Sequence, residues 1–358
     1  MDITYRFSVI EVMFKKFIPQ FRRDLGIDLG TTSTLIYVKN KGILVNEPSV
    51  VAINTRTDQI IAIGDDAKRM VGKTPGHISV VKPLVEGIVS DFEVTEKMLK
   101  YFIEKILNER MGVLGSKPRV VIGIPLDITE VERKAVEDAA LGSGARQVYL
   151  VEEPMAAAIG ARMPVQESTG NLIVDIGGGT TQIAVISLSG VVAWKSIPIA
   201  GDVLNKNIQQ YIRENFNLLI GDTTAEKIKI KLATIYPAEQ AIEFQVSGRD
   251  LVNGLPKEIT ISDAEVREAI SRSIKTIVTN IKSTIESTPP ELVADIRKRG
   301  IILSGGGALL KGLDELISKE TKVPVTIIDD PLTCVVRGTG LILEDLDNLQ
   351  DILIPSAR

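Results

Sequence analysis

The chain has 358 residues, of which 44% are hydrophobic and 25% charged, and a formal net charge of −4; the length predicts two domains or a bilobed body, and the charge balance gives no case for nucleic acid binding. The single cysteine, Cys334, excludes an internal disulfide and fits a reducing compartment, and with His77 as the single histidine it cannot build a zinc site or a Cys-His catalytic pair. No apolar run reaches the roughly 18 residues that span a bilayer and no signal peptide opens the chain, so the expected location is the cytoplasm.

Residues 1–23 read as an appendage. Val9, Ile10, Met13, Phe14, Phe17, Ile18 and Phe21 recur at helical spacing beside Lys15, Lys16, Arg22 and Arg23, until Pro19 disturbs the pattern. Such a basic amphipathic segment suits an anionic membrane interface; docking on the protein's own core is the alternative. Residues 24–38, DLGIDLGTTSTLIYV, then form a strand that ends in Asp28, a small polar turn and a second strand. Strands are expected at 43–45 and 50–53, and a short helix at 67–71. The tripeptide Gly72-Lys73-Thr74 imitates the end of a Walker A loop but lacks its first glycine and the helix behind it.

Residues 91–108 form a helix with Met98, Leu99, Phe102, Ile103 and Ile106 on one face. A loop follows in which Met111, Val113 and Leu114 are apolar tips suited to a membrane or a partner, burial being the alternative. After a strand at 119–124, Thr129 and Glu132 make a capping box. A strand at 147–151 leads to Glu152-Glu153-Pro154 and a small-residue helix at 155–161; a glutamate at such a strand end can orient the water that attacks a γ-phosphate.

Residues 170–186, GNLIVDIGGGTTQIAVI, repeat the opening pattern: a strand ending in Asp175, a turn of Gly177, Gly178 and Gly179 followed by two threonines, and a second strand. The glycines allow positive φ and let a ligand lie on the backbone amides, an arrangement that suits phosphate. A strand at 191–199, a helix at 201–216, a helix from Thr224 and short strands at 242–246 and 258–261 come next. Ser262 and Glu265 form a second capping box, opening a long helix that Pro289-Pro290 stops. A strand at 301–303 enters a third glycine turn, Ser304-Gly305-Gly306-Gly307, with a helix from Leu309, a strand at 323–328 and a last helix at 332–343. Two acid-tipped hairpins facing one polyphosphate would repel it unless Mg²⁺, which takes one or two carboxylates, water and substrate phosphates, sits between them. Asp28 and Asp175 therefore predict a nucleotide bound with Mg²⁺.

These features together resemble the actin, sugar-kinase and DnaK-type chaperone superfamily, and within it the MreB-like bacterial actins. The strings DLGIDLGTT, SDFEVTEKML, KPRVVIGIP, VEEPMAAAIG, VDIGGGTTQIAVISL, TAEKIKI and LSGGGALLKGLDELI carry the likeness across nearly the whole chain. The resemblance implies an α/β, two-lobed actin-like fold built from duplicated ribonuclease-H-like domains with small inserted subdomains. Lobe I would take residues 24–51, 94–167 and 335–358 as its core and 52–93 as its insertion; lobe II would take 168–203 and 268–334 with 204–267 inserted. It further implies Mg-ATP in the interlobe cleft, with Thr31, Thr32 and Ser33 as the first phosphate turn and Gly177, Gly178, Gly179 and Thr180 as the second. Asp28 and Asp175 would hold the hydrated Mg²⁺, and Glu153 would position the attacking water with Thr180 beside it. Glu226, Lys227, Ile228 and Lys229, with Gly305, Gly306, Gly307 and Ala308, would form the adenosine pocket.

Two positions depart from the family: Ser33 stands where Asn is usual and Gln182 where Glu is usual, each next to a phosphate turn. The implied activity is slow ATP hydrolysis coupled to assembly of paired protofilaments. These would lie on the inner face of the cytoplasmic membrane through residues 1–23, Met111, Val113 and Leu114, and govern cell shape by organising membrane-bound wall-synthesis proteins. A small-molecule kinase of the same superfamily, or a filament protein with a structural nucleotide, are the competing readings.

Overall fold

Alternating and fully apolar runs bounded by small polar turns build the two halves of the molecule. The computed structural model describes residues 24–108, 117–237 and 239–355; the predicted tail at 1–23 and the apolar tips Met111, Val113 and Leu114 lie outside them. In chain order β1 (Leu25–Leu29), β2 (Ser33–Val38) and β3 (Gly42–Pro48) form an antiparallel meander. β4 (Val51–Asn54), β5 (Gln59–Ile63) and β6 (Ile78–Val81) make a separate three-stranded sheet, and β7 (Leu84–Val85) and β8 (Ile88–Val89) a small hairpin. β9 (Arg119–Ile124) and β10 (Gln147–Glu152) return to the first sheet in parallel, giving the order β10-β9-β1-β2-β3.

The second half repeats this plan. β11 (Asn171–Ile176), β12 (Thr181–Ser187) and β13 (Gly190–Ile197) form the meander; after β14 (Leu218–Leu219), β15 (Glu243–Asp250) and β16 (Pro256–Ser262) have built another three-stranded sheet, β17 (Ile301–Ser304) and β18 (Val325–Ile327) add in parallel to β11. The resulting order, β13-β12-β11-β17-β18, mirrors the first sheet strand for strand. In both sheets the acid-tipped strand is central, so Asp28 and Asp175 emerge at equivalent strand ends, each beside a parallel neighbour.

Helices cover these sheets. α1 (Asp65–Met70) packs on the small sheet and α2 (Phe92–Asn108) on the first large one, burying Met98, Leu99, Phe102, Ile103 and Ile106 as their spacing predicts. α3 (Glu130–Gly142) starts at the Thr129–Glu132 capping box. α4 (Glu153–Gly160) follows β10 without a loop. α7 (Asp263–Glu286), which opens on the Ser262–Glu265 capping box, packs on β12 and β13 of the second large sheet, and α5 (Gly201–Phe216) and α6 (Asp222–Leu232) pack on α7 and on β14 and β15 of the small one.

Two expectations need correction here. Pro289-Pro290 does not lead straight to the third glycine turn: Pro290 is the first residue of α8 (Pro290–Arg299), where its missing N–H costs no helical hydrogen bond. The helix expected from Leu309 starts only at Leu313, as α9 (Leu313–Thr321), because the glycine turn winds into a short 3₁₀ segment, Gly306–Leu309, and Gly312 takes a left-handed φ of 82° before the helix.

The last helix, α10 (Cys334–Glu344), crosses back and lies against α4. Their contact is backbone on backbone: a Cβ built at Gly338 would collide with the carbonyl of Ala156. The Cys334 thiol donates to Ala157 O at 3.1 Å, consistent with a structural cysteine. Met155, Ala156, Ala157, Cys334 and Val335 join Val121 and Val151 of the first sheet and Ile173, Ala184 and Ile186 of the second in one core. The two halves thus share one apolar core through α4 and α10.

Candidate functional site

The two hairpin turns close in the same way. Gly30 N donates to Ser33 O at 3.1 Å, and Gly177 N donates to Thr180 O at 2.9 Å. They also meet one another. A Cβ built at Gly178 would lie 2.7 Å from Thr32 Cβ and closer still to its hydroxyl, and one at Gly179 would lie 2.5 Å from Thr31 Oγ1. Neither these glycines nor Gly177 adopts a positive φ, which corrects the conformational reason expected for them. Glycine is required at Gly178 and Gly179 because the other half of the molecule approaches so closely, whereas a Cβ at Gly177 would meet only Thr180 O of its own turn, at 3.4 Å. The buried Thr31 hydroxyl accepts from Gly87 N at 2.7 Å, which draws the β7–β8 tip into the same place.

Three carboxyl groups collect under these turns. Burial, and then the neighbouring Asp175, push the Asp28 carboxyl up to about 7. Burial raises Asp175 to about 6, with the Ser304 hydroxyl offsetting part of the rise. Glu153, 7% exposed at the start of α4, is pushed well above the usual carboxylate range by burial and by Asp28 and Asp175, against a hydrogen bond from Gln182. Asp175 Oδ1 and Thr32 Oγ1 are buried with no hydrogen-bond partner. Among the described residues no three His, Cys, Asp or Glu side chains make a metal cage, whereas two carboxylates with an oxygen to spare fit a magnesium ion that keeps water and phosphate ligands.

The raised values fix a sign. Between about pH 4 and pH 7 the folded protein holds protons that the unfolded chain has already released, so the stability of the protein with nothing bound falls as pH rises through that window and levels off above it. We expect its Tm to drop from pH 5 to pH 7.5 and the slope to flatten in Asp175→Asn; a Tm as steep in the variant as in the parent would place the titrating group elsewhere.

The remaining predicted residues flank the second turn. At the start of α5, Gly201 N and Asp202 N donate to Gly177 O and Gly178 O at 3.2 and 2.8 Å. Lys229 Nζ donates to Gly201 O at 2.9 Å, and burial lowers its pKa. Glu226 pairs at 3.2 Å with Lys68 of α1, and Asp202 at 2.7 Å with Lys82 beyond β6, so two ion pairs join the halves. Gly305, with φ 78°, and Gly307 press on the end of β11: a Cβ at Gly305 would lie 2.8 Å from Ile176 N. Gly306 is exposed beside them.

Ile228 and Ala308 are both 0% exposed and belong to the lobe core, so each would face a ligand through its backbone rather than its side chain, while Lys227 is exposed. Ser33 begins β2, part-buried, and Thr180 lies part-buried at the end of the glycine turn. Sequence reasoning missed Lys68, Lys82 and Gly87, which no local pattern marks because their partners come from distant segments.

Known proteins share this chain's sequence and shape. The MreB/Mbl protein family model matches residues 22–351. The cell shape-determining protein Mbl of Bacillus subtilis (strain 168) is 52% identical over 329 residues, covering 92% of this chain and 98% of that one. The cell shape-determining protein MreB of Escherichia coli (strain K12) is 49% identical over 341 residues, covering 94% and 97%. The crystal structure of MreB5 of Spiroplasma citri bound to ADP superposes with a TM-score of 0.87 at 37% identity, covering 92% and 98%.

Proposed function

The chain belongs to the MreB/Mbl family, and on that premise we propose that it is an ATP-hydrolysing bacterial actin that assembles into paired protofilaments on the inner face of the cytoplasmic membrane. There it organises membrane-bound wall-synthesis proteins and so governs cell shape, the property for which its relatives from Bacillus subtilis and Escherichia coli are named. The observation that carries the reading is the meeting of two equivalent acid-tipped turns, with Asp28 and Asp175 near enough to raise the Asp28 pKa. The ADP bound by the Spiroplasma citri protein supports a nucleotide as ligand.

Thr31, Thr32 and Ser33 from one lobe and Gly177, Gly178, Gly179 and Thr180 from the other offer hydroxyls and amides to the phosphates. Asp28 and Asp175 would hold the magnesium ion, which when bound neutralises phosphate charge and orients the triphosphate. Glu153 takes a proton from the attacking water, a role that its raised pKa suits. Glu226 and Lys229, with the Gly305–Gly307 turn, contact the adenosine. Because the two turns belong to different lobes, binding draws the lobes together and favours the subunit shape that assembles, and hydrolysis favours release.

Among the described residues no helix is long and apolar enough to cross a membrane. Attachment is through residues 1–23, helped by Met111, Val113 and Leu114. The test is electron microscopy of the purified full chain with ATP on an anionic lipid monolayer, paired with liposome co-sedimentation. Filaments are expected with ATP, and deletion of residues 1–23 is expected to abolish sedimentation with anionic vesicles while sparing assembly in solution. Unchanged vesicle binding after the deletion would remove the tail from the proposal.

A further inference from the structure

Gln182 is fully buried in β12, paired with Asp175 in the β11–β12 register. Its amide can take one orientation only. The main-chain N–H of Leu126, which can only donate, meets Oε1 at 3.0 Å, so Nε2 is left facing Glu153 and donates to Glu153 Oε2. An amide anchored at both ends therefore grips one of the two oxygens of Glu153.

We infer that Gln182 is a positioning residue for hydrolysis, holding Glu153 Oε2 so that Oε1 is the oxygen that addresses the attacking water. The inference rests on the hydrolytic role proposed for Glu153. In the step it serves, a water O–H bond breaks and its proton passes to Glu153 Oε1; the water oxygen bonds to the γ-phosphorus as the bond from that phosphorus to the bridging oxygen breaks, and ADP leaves with that oxygen's electron pair. The proton on Oε1 then returns to phosphate or solvent. Because Oε2 already accepts from Gln182, Oε1 is the more basic oxygen of Glu153 and the one that gains and loses the proton. A glutamate at position 182, which the family resemblance leads one to expect, would donate to Oε2 only while protonated and would compete for the same proton. The amide donates throughout and has no proton to trade.

The full chain is assayed for steady-state ATP hydrolysis as the parent, Gln182→Met, Glu153→Ala and the double variant, with nucleotide affinity and Tm measured beside each. Gln182→Met keeps the side-chain length and removes both polar ends. We expect its kcat to fall about ten- to a hundredfold with KM for ATP little changed, as loss of orientation does, and the same substitution to have no further effect in the Glu153→Ala background. If Gln182→Met does not fold, Gln182→Asn, one methylene too short to reach both partners, is expected to show the same split. Parental kcat in a folded variant, an equal loss in KM, or an undiminished effect without Glu153 each overturns the inference. A parent no faster than Glu153→Ala would instead overturn the hydrolytic reading beneath it.

Discussion

Glu153→Ala is expected to slow phosphate release by at least about a hundredfold, the lower end of what a positioned general base contributes, while ATP-dependent pelleting persists. The separation follows from where Glu153 sits. It opens α4 at the end of β10, behind the two turns, and its hydrogen-bond partner is Gln182 rather than any residue of the phosphate turns. Removing it leaves the turn amides and hydroxyls, Asp28 and Asp175 untouched. Stability should move little, because two opposing effects are of similar size. The Gln182 amide loses a buried acceptor, a loss worth about 1–3 kcal/mol, and the fold no longer buries a third carboxyl beside two others. Phosphate release followed in the same tube as pelleting decides the matter. Equal release by variant and parent, with assembly intact, would leave the nucleotide a structural role and strip Glu153 of a catalytic one.

What the sequence disclosed was whatever has a local signature. The hairpin repeat showed because Asp-X-Gly followed by hydroxyls and an apolar strand is a contiguous pattern, and the matching order of the two large sheets shows that the likeness extends beyond the turns. The capping boxes at Thr129 and Ser262 and the apolar face of α2 were legible for the same reason. The stretch holding β5, β6, β7 and β8 was not: those strands are short, and β6 is half-buried along its whole length, so no apolar alternation marks it. Pro289-Pro290 was ambiguous because proline both ends helices and begins them. The glycines of the second turn illustrate a harder limit. Sequence shows three glycines in a row but not whether φ or a neighbour calls for them, and at Gly178 the neighbour is Thr32 from the other lobe. The ion pairs Lys68–Glu226 and Lys82–Asp202 are invisible for the same reason.

That neighbour makes Gly178 the place where the lobes can be uncoupled without unfolding either. In Gly178→Ala the added methyl would overlap the Thr32 hydroxyl and come within 2.7 Å of Thr32 Cβ. Rotating the Thr32 side chain relieves the first clash but not the second, so the turns have to part. The hairpin itself accepts alanine, since Gly178 has no positive φ, and the atoms that the methyl meets belong to Thr32 and not to the core shared through α4 and α10. Parting the turns loosens Lys68–Glu226 and Lys82–Asp202, part-exposed pairs that contribute at most about 1 kcal/mol each. Thermal stability should therefore stay near that of the parent. Function should not: the phosphate donors proposed from the two lobes would no longer reach one ligand together. We expect ATP affinity to fall at least about tenfold, equivalent to about 1.4 kcal/mol, and ATP-dependent assembly to be lost. Gly76→Ala, where a built Cβ meets nothing within 4 Å, serves as the control and should behave as the parent does. Thr32→Gly in the Gly178→Ala background removes the colliding atoms and should bring the lobes, and part of the affinity, back. If Gly178→Ala binds and assembles like the parent, the two turns never need to touch in the working protein, and nucleotide binding is not what closes the lobes.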